Sequence, residues 1–145
     1  MSFAADVKKF SEKTKGKNRD VVVKTFVSLG TLIVSRTPIG DHSIWSSPAP
    51  DDYIPGTLVN SWTASTAAIN PSKVRSPNPT GAESLASINK VSSRAPGRIA
   101  SILNPAPYAN KIEYEGHSTQ APAGMTRRTA AEFKHLVAVA INGTK

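Results

Sequence analysis

The chain has 145 residues, which is enough for a single domain with its own hydrophobic core. Its 18 Lys and Arg against 10 Asp and Glu give a net charge of +8, which favours an acidic partner such as nucleic acid or an acidic protein surface. The absence of cysteine excludes a disulfide framework, a thiolate nucleophile and a zinc finger. Because no apolar run approaches the roughly 18 residues of a membrane span and no signal-peptide pattern opens the chain, we expect a soluble protein made in a reducing cytoplasm.

Residues 2–36 form the longest stretch without proline, and their pattern predicts a helix. Phe3, Val7 and Phe10 follow one another at intervals of four and three, which places all three on one face. Ser2 stands where an N-cap residue would stand. The helix is therefore predicted to begin beside Ser2 and to carry an apolar stripe along its first turns.

The second half of this helical region has a broader apolar face than the first. Gly16, flanked by lysines, predicts a kink or break between the two halves. The apolar face of residues 21–34 is wide enough to predict burial against more than one neighbour. Pro38 disfavours helical geometry at the residue before it, so the helix is predicted to stop near Arg36.

The middle of the chain is rich in turn-forming residues. Residues 37–56 are dense in Pro, Gly, Asp and Ser, and they are predicted to form a loop. Partial alternation of apolar and polar residues in Thr57–Ser65 predicts a strand. Residues 66–98 are rich in Ser, Pro, Ala and Asn and are predicted to form a variable basic loop region. Within that region, Gly81–Ser93 has apolar residues spaced for a short helix.

The last third of the chain is predicted to contain one more strand and one more helix. Arg98–Asn104 is the second strand candidate, and two prolines follow it. Residues 106–116 show a mixed pattern. Thr126–Ile141 returns to helical periodicity, and Thr126 or Thr129 could cap that helix.

Residues that could carry catalysis are sparse. Asp51 and Asp52 form a carboxylate pair, but adjacent acids in a Pro-rich loop are far more often turn formers than catalysts. Glu113 and Glu115 alternate with apolar residues, which predicts a solvated edge. Neither a GxSxG nucleophile elbow nor a GxxxxGK phosphate loop is present, so we predict no enzyme, no catalytic residue and no cofactor. The histidines lack metal-ligand spacing, so no metal site is predicted at His42, His117 or His135.

The basic residues fall into two clusters along the chain. They can be interpreted as solvating charges on exposed elements or as a surface that faces DNA or an acidic partner. Because neither cluster has interleaved aromatics for base stacking, any nucleic-acid contact is expected to be electrostatic and independent of sequence. The first cluster comprises Lys8, Lys9, Lys13, Lys15, Lys17, Arg19 and Lys24. The second comprises Lys73, Arg75, Lys90, Arg94 and Arg98.

Two segments carry a resemblance to a known family: DDYIPGTLVNSW at 51–62 and PYANKIEYEGHSTQAPAGMTRR at 107–128. The first resembles the pattern of proline, turn glycine, leucine and then small-polar-Trp that opens the first strand in the head–tail joining family of tailed bacteriophages. The second resembles that family's other signature, in which a Tyr-Ala pair precedes a hydrophobic-Glu-aromatic-Gly element, a proline and a C-terminal helix. The order of the elements also resembles that of the family, whose members are neck or tail-completion proteins.

The residues that match the two motifs have physical reasons to be where they are. A glycine after a proline suits a tight turn into the next element, and the following leucine and tryptophan supply apolar anchors. We therefore expect the motif residues to be structural and not chemical. The first motif is matched by Pro55, Gly56, Leu58 and Trp62. The second is matched by Tyr108, Ala109, Ile112, Glu113 and Gly116.

The expected fold is α+β, as one domain over residues 1–145. It has a long N-terminal helix and a C-terminal helix packed on a small, mainly antiparallel sheet. The resemblance implies a structural virion protein that forms a sixfold ring in the phage neck. Such a ring joins the head connector, adaptor or stopper proteins to the tail terminator or tail tube and surrounds the DNA passage.

Two alternatives to the neck ring stay open from the sequence. One is a tail terminator protein, and the other is a stand-alone basic protein that binds nucleic acid independently of sequence. For a ring, two complementary patches are needed on each copy. The candidates are the apolar face of residues 21–34 and the loop of residues 45–50.

Overall fold

The computed structural model of the protein describes residues 2–44, 46–49 and 51–145, without the side chain of Ile44. In this part of the chain, helices are combined with a small two-stranded antiparallel sheet. The helices are α1 (Phe3–Ser35), α2 (Thr57–Asn60), α3 (Ala82–Ser92), α4 (Ala109–Tyr114), α5 (Thr126–Ala131) and α6 (Phe133–Asn142), with a short 3-10 helix at His42–Ile44. The strands are β1 (Thr63–Ser65) and β2 (Ser101–Leu103). No helix among the described residues is long and apolar enough to cross a membrane.

The long N-terminal helix is confirmed, and it is continuous. α1 runs for 33 residues through Gly16, so the predicted break there is wrong. One glycine in a helix costs only about 1 kcal/mol, and the lysines beside it are good helix formers. Ser2 is the N-cap, as predicted, and its hydroxyl accepts a hydrogen bond from the Ala5 amide at 3.4 Å. The helix ends at the C-cap residue Arg36, shortly before Pro38.

The second half of α1 forms one wall of the core. It packs against α3, α5 and α6, which agrees with the wide apolar face of this segment. At Gly30 the approach of α3 is so close that a Cβ there would lie 2.6 Å from the side chain of Ile88, which is fully buried. This face is therefore largely covered within the subunit, so it is a poor candidate for a ring contact. Its buried residues are Thr25, Phe26, Gly30, Ile33 and Val34.

The sheet consists of two three-residue strands. β1 and β2 pair antiparallel, with Ala64 opposite Ile102. The strand predicted at Arg98–Asn104 is present but shorter. α3 lies against β1, where the Ser87 hydroxyl accepts a hydrogen bond from the Ala64 amide at 3.0 Å. The sheet therefore links the N-terminal and C-terminal parts of the core.

The strand predicted over Thr57–Ser65 is wrong for its first half. Residues Thr57–Asn60 form the single helical turn α2 instead. Gly56 starts that turn with a φ of 91°, and the buried Asn60 side chain then donates to the Ser76 carbonyl at 2.9 Å. Because these contacts come from residues distant in sequence, the local alternation could not indicate them.

The long Pro- and Ser-rich basic loop predicted for residues 66–98 is not confirmed. The helix expected over Gly81–Ser93 is confirmed as α3, so irregular structure is confined to residues 66–81 and 93–100. Arg75 anchors the first of these segments, because its guanidinium donates to the carbonyl of Trp62 at 2.6 Å. The segment is thus held to the core at this point.

The predicted C-terminal helix is two helices, α5 and α6, which meet at Glu132. The Arg36 guanidinium donates to both carboxylate oxygens of Glu132 at 2.9 Å, which fixes the junction against the end of α1. Neither Thr126 nor Thr129 is the cap of α5, since the N-cap residue is Met125. Thr129 is fully buried, and its hydroxyl donates to the Met125 carbonyl at 2.8 Å.

Candidate functional site

The two segments that carry the family resemblance meet in space. The rings of Tyr53 and Tyr108 contact each other edge to face, with centroids 6.0 Å apart. The Asn104 side chain, just before the second segment, donates to the carbonyl of Leu58 in the first at 2.8 Å. The core joins both segments, because it contains the buried Leu58 and Trp62, with Tyr108, Ala109 and Ile112 packed against it. Most motif residues therefore hold the fold together.

Gly56 in the first motif occupies a position that only glycine fits. Its φ of 91° lies in the left-handed region, and a Cβ there would lie 2.7 Å from the backbone nitrogen of Pro79. Pro55 before it is exposed. In the second motif, Gly116 also has a positive φ, of 65°, but its surroundings are open. Gly116 is therefore needed for the turn and not for close packing.

Glu113 in the second motif has a different role from the one predicted. The segment is the helix α4 and not a solvated edge, and Glu113 is 5% exposed. Its carboxylate accepts hydrogen bonds from the backbone amides of Met125, Thr126 and Arg127 at 2.8, 3.0 and 2.9 Å. These are the free amides at the start of α5, so Glu113 acts as that helix's cap. Glu115 is exposed as expected and pairs with His117 at 3.1 Å.

Trp62 links the first motif to the end of α1. Its indole N–H donates to the hydroxyl of Thr37 at 2.8 Å, and that hydroxyl donates to the Ile33 carbonyl at 2.7 Å. All three residues are buried. The chain of hydrogen bonds explains why a tryptophan, with its donor, suits this position.

The basic residues of the two sequence clusters are brought together only in part. Arg19 in α1 donates to the carbonyl of Ser93 at 2.7 Å, which places it at the C-terminal end of α3 beside three exposed basic residues. None of the four forms an ion pair with a carboxylate in the described part of the chain. We call this surface the basic end; it consists of Arg19, Lys90, Arg94 and Arg98.

Arg75 and Lys73 lie elsewhere. Arg75 is half-buried, pairs with Glu83 at 3.7 Å at the opposite end of α3, and donates to the Asn60 carbonyl at 3.0 Å. An α3 of 11 residues separates the two ends by about 16 Å. Lys73 is exposed in the preceding loop. Arg75 is thus a structural residue, and the predicted group of five is not one site.

The N-terminal half of α1 projects from the domain. Each of residues 2–18 is exposed except Ser11, which is half-buried. We call residues 2–18 the N-terminal arm. Phe3 is 84% exposed, Val7 49% and Phe10 72%, so the predicted apolar stripe is present and largely exposed to solvent. The arm carries five lysines against two acids, a net charge of +3, and it spans about 25 Å.

A cleft lies past the opposite end of α1. It has a volume of about 540 Å³, and its walls include Pro38, Asp41, Tyr53, Tyr108, Ile112 and Glu115. Burial raises the pKa of Tyr108 to about 12, although Thr57 lies close enough to oppose the shift. The buried Tyr108 hydroxyl makes no hydrogen bond of normal geometry in the described structure. The side-chain hydroxyl of Ser43 holds the pKa of Asp41 below its usual value, so this acid stays charged.

Sequence reasoning missed the cleft and the contacts that connect distant elements. The cleft joins residues from the loop after α1 with residues from α4, and no local pattern indicates that meeting. Of the residues 45–50 considered for a ring contact, Ser46, Ser47 and Pro48 line the cleft, whereas Trp45 and Pro50 lie outside the described residues. No group of three His, Asp or Glu side chains that could hold a metal ion occurs among the described residues.

Comparisons with protein-family models, curated proteins and solved structures found no match to this chain. What the chain does is therefore inferred from three features described above. These are the paired motif segments, the basic end of α3, and the exposed arm at the far end of α1 from the cleft.

Proposed function

We propose that this chain is a structural subunit of the neck of a tailed bacteriophage. Copies of it form a ring, with sixfold symmetry to match a tail tube, that joins the head to the tail around the DNA passage. The observation that carries this proposal is the meeting of the two segments that resemble the head–tail joining family. They are 45 residues apart in sequence, from 62 to 107, yet they contact each other through Tyr53 and Tyr108 and share one core.

The basic end supports a place beside DNA. Its four cations are not neutralised by described carboxylates, and Arg19 contacts Ser93, which directly precedes Arg94. Such a surface attracts phosphates without reading bases, which suits a lumen through which any sequence must pass. In this proposal the partners are further copies of the chain, the head connector or stopper proteins, and the tail terminator or tail tube. The chain has no catalytic, cofactor or metal role, is made in the cytoplasm of the host bacterium, and ends in the virion.

A second candidate is a stand-alone basic protein that binds nucleic acid independently of sequence. The same four cations, which have no carboxylate partner in the described part of the chain, favour it. The neck ring is preferred because a free DNA binder has no use for a long arm that exposes Phe3 and Phe10 to water. A tail terminator, which sits one position further along the same passage, would use the same features against different neighbours.

Electron microscopy of lysates tests the proposal. Deleting the gene should leave head assembly, DNA packaging and tail-tube growth unchanged, and filled heads and tails should accumulate separately. Adding the purified protein back should restore joined particles, and purified virions should contain the protein in a fixed number of copies. Normal joined particles in the deletion lysate would contradict the neck assignment and favour the free DNA binder. Tails of irregular length in that lysate would point to the tail terminator.

A further inference from the structure

We propose that the N-terminal arm of one copy binds in the cleft of the next copy, in a head-to-tail contact that is repeated around the ring. This inference deepens the proposed function, since it names the surfaces that hold the ring together. It requires that copies of the chain associate, but it does not require that the assembly be a phage neck.

The arm is built to contact something outside its own subunit. Removing apolar side chains from water is favourable, and the arm leaves Phe3, Val7 and Phe10 largely in water. In the second half of the same helix Phe26, Ile33 and Val34 are buried, and the helix packs against α3, α5 and α6. The arm has no such cover within the described chain.

The arm cannot reach the cleft of its own copy. α1 is one continuous helix of 33 residues, which is about 50 Å long. Phe3 and Phe10 lie towards one end of it, and the cleft begins at Pro38, beyond the other end. A cleft within reach of the arm must therefore belong to another molecule.

The two surfaces are complementary in chemistry. The cleft offers apolar and aromatic walls at Pro38, Tyr53 and Ile112, and its lining contains two acids, Asp41 and Glu115, against one lysine, Lys111. Two further acids, at 51 and 52, directly precede Tyr53 in sequence. The arm offers an apolar stripe on a helix with a net charge of +3. Apolar contacts inside a frame of opposite charges give an interface both affinity and a defined orientation.

Two arms are poor partners for each other. The stripe would need apolar residues at positions 14 and 17 to continue as a coiled-coil seam, and these are Thr14 and Lys17. Two arms would also bring two charges of +3 together. The cleft of a second copy is therefore the better occupant.

An arm-into-cleft contact uses two different patches on each copy, so it is heterologous. A heterologous contact closes into a ring when its rotation divides the circle, and otherwise grows into a filament. The contact thus accounts for cyclic assembly with a single type of interface. It also replaces the predicted ring contact at residues 21–34, which are mostly used inside the subunit.

Complementation between two variants tests the contact. The arm variant is Phe3→Ser with Phe10→Ser, and the cleft variant is Asp41→Lys with Glu115→Lys. All four residues are exposed, so both variants should keep the wild-type circular dichroism spectrum and melting temperature. The control is Lys9→Ser with Glu12→Ser, which changes the opposite face of the arm without changing its net charge.

Sedimentation velocity and native mass spectrometry give the readout at millimolar protein. The wild type and the control should form closed oligomers, and each variant alone should be a monomer. A mixture of the two variants should form 1:1 dimers and nothing larger. The intact arm of the cleft variant can bind in the intact cleft of the arm variant, and the other two surfaces of that pair are both altered. A wild type that stays monomeric, an arm variant that assembles normally, or a mixture without dimers would overturn the proposal.

Binding of the arm to a partner other than the cleft would give a different experimental result. Phe3- and Phe10-dependent binding of the protein to vesicles of anionic phospholipid, with no effect of the arm variant on assembly, would assign the arm to a membrane surface and overturn the contact. A failure of the neck proposal can be distinguished from a failure of the arm-into-cleft contact. Joined particles in a deletion lysate contradict the neck even if the 1:1 dimers form, whereas arm variants that restore joining and still form rings contradict only the arm-into-cleft contact.

Discussion

The carboxylate of Glu113 accepts a hydrogen bond from the backbone amide of Met125 at 2.8 Å, so that a residue of α4 caps the start of α5. Gly124, just before, has a φ of 79°, and a Cβ there would lie 2.7 Å from a carboxylate oxygen of Glu113. The acid and the glycine thus fit together. This pairing gives a physical reason for the glutamate in the second motif, where the sequence pattern alone suggested a solvated side chain.

Replacing Glu113 with Ala should lower the free energy of unfolding by about 2 to 3 kcal/mol, since the amides at the start of α5 lose their acceptor. Urea denaturation measures the change. The matched control is Glu115→Ala, two residues away and exposed, which should change stability by less than about 0.5 kcal/mol. Equal effects of the two substitutions would show that the cap contributes no stability.

The Glu113 cap should also make stability depend on pH. Burial raises the pKa of Glu113, but the hydrogen bonds from the backbone of Arg127, Thr126 and Met125 together outweigh it and lower the pKa below its ordinary 4.5. Because the folded-state pKa is the lower one, the ionised carboxylate stabilises the fold fully above the unfolded pKa, and this contribution is lost as pH falls through the folded value. The difference in stability between the wild type and Glu113→Gln should be constant near neutral pH and shrink below about pH 4.5. A difference that grows on acidification would contradict this sign.

Two glycines of α1 should respond in opposite ways to alanine. Gly30→Ala would place a Cβ 2.6 Å from the buried Ile88 side chain and should destabilise by about 1 to 3 kcal/mol. Gly16→Ala meets nothing within 4 Å and should stabilise by up to about 1 kcal/mol through helix propensity. Thermal unfolding of both variants distinguishes the two cases. Stabilisation by both would mean that α3 lies further from α1 than described.

The sequence predicted the elements whose signals are local. The apolar period of α1, its cap at Ser2, and the spacing within α3 all depend on residues a few positions apart. At α2 and at the α5–α6 junction, where the prediction was wrong, a distant partner decides the structure: Asn60 is held by residues beyond position 75, and the junction at Glu132 is held by Arg36. The candidate sites show the same division. The exposed stripe of the arm follows from periodicity, whereas the cleft and the basic end exist only once distant segments meet.

Trp62→Ala should reduce the free energy of unfolding by about 3 to 5 kcal/mol, because a large buried side chain and its hydrogen bond to Thr37 are both lost. Trp62→Phe keeps most of the packing and should cost less, with the buried Thr37 hydroxyl left without its donor. Tyr108→Ala should reduce the free energy of unfolding by less than Trp62→Ala does, since Tyr108 is only half-buried. Guanidinium denaturation orders the three variants, and no change for Trp62→Ala would place that ring at a surface.

The basic end should bind DNA through charge alone, and its residues should be separable from Arg75. Changing Lys90, Arg94 and Arg98 to Ser removes three exposed cations that form no described ion pair, so the melting temperature should stay within a degree or two of the wild type. If these cations contact phosphates, the slope of log K against log salt should become shallower by roughly two to three, whatever the DNA sequence.

Arg75→Ser removes the same charge per residue but also the donors to the Asn60 and Trp62 carbonyls, so it should destabilise the fold by about 1 to 3 kcal/mol. The triple variant therefore reports on DNA and the single variant on folding. Measuring DNA affinity by fluorescence anisotropy at several salt concentrations, beside the melting temperatures, distinguishes them. If the triple variant keeps the wild-type salt slope, the basic end does not contact DNA, and an acidic protein surface is then its partner.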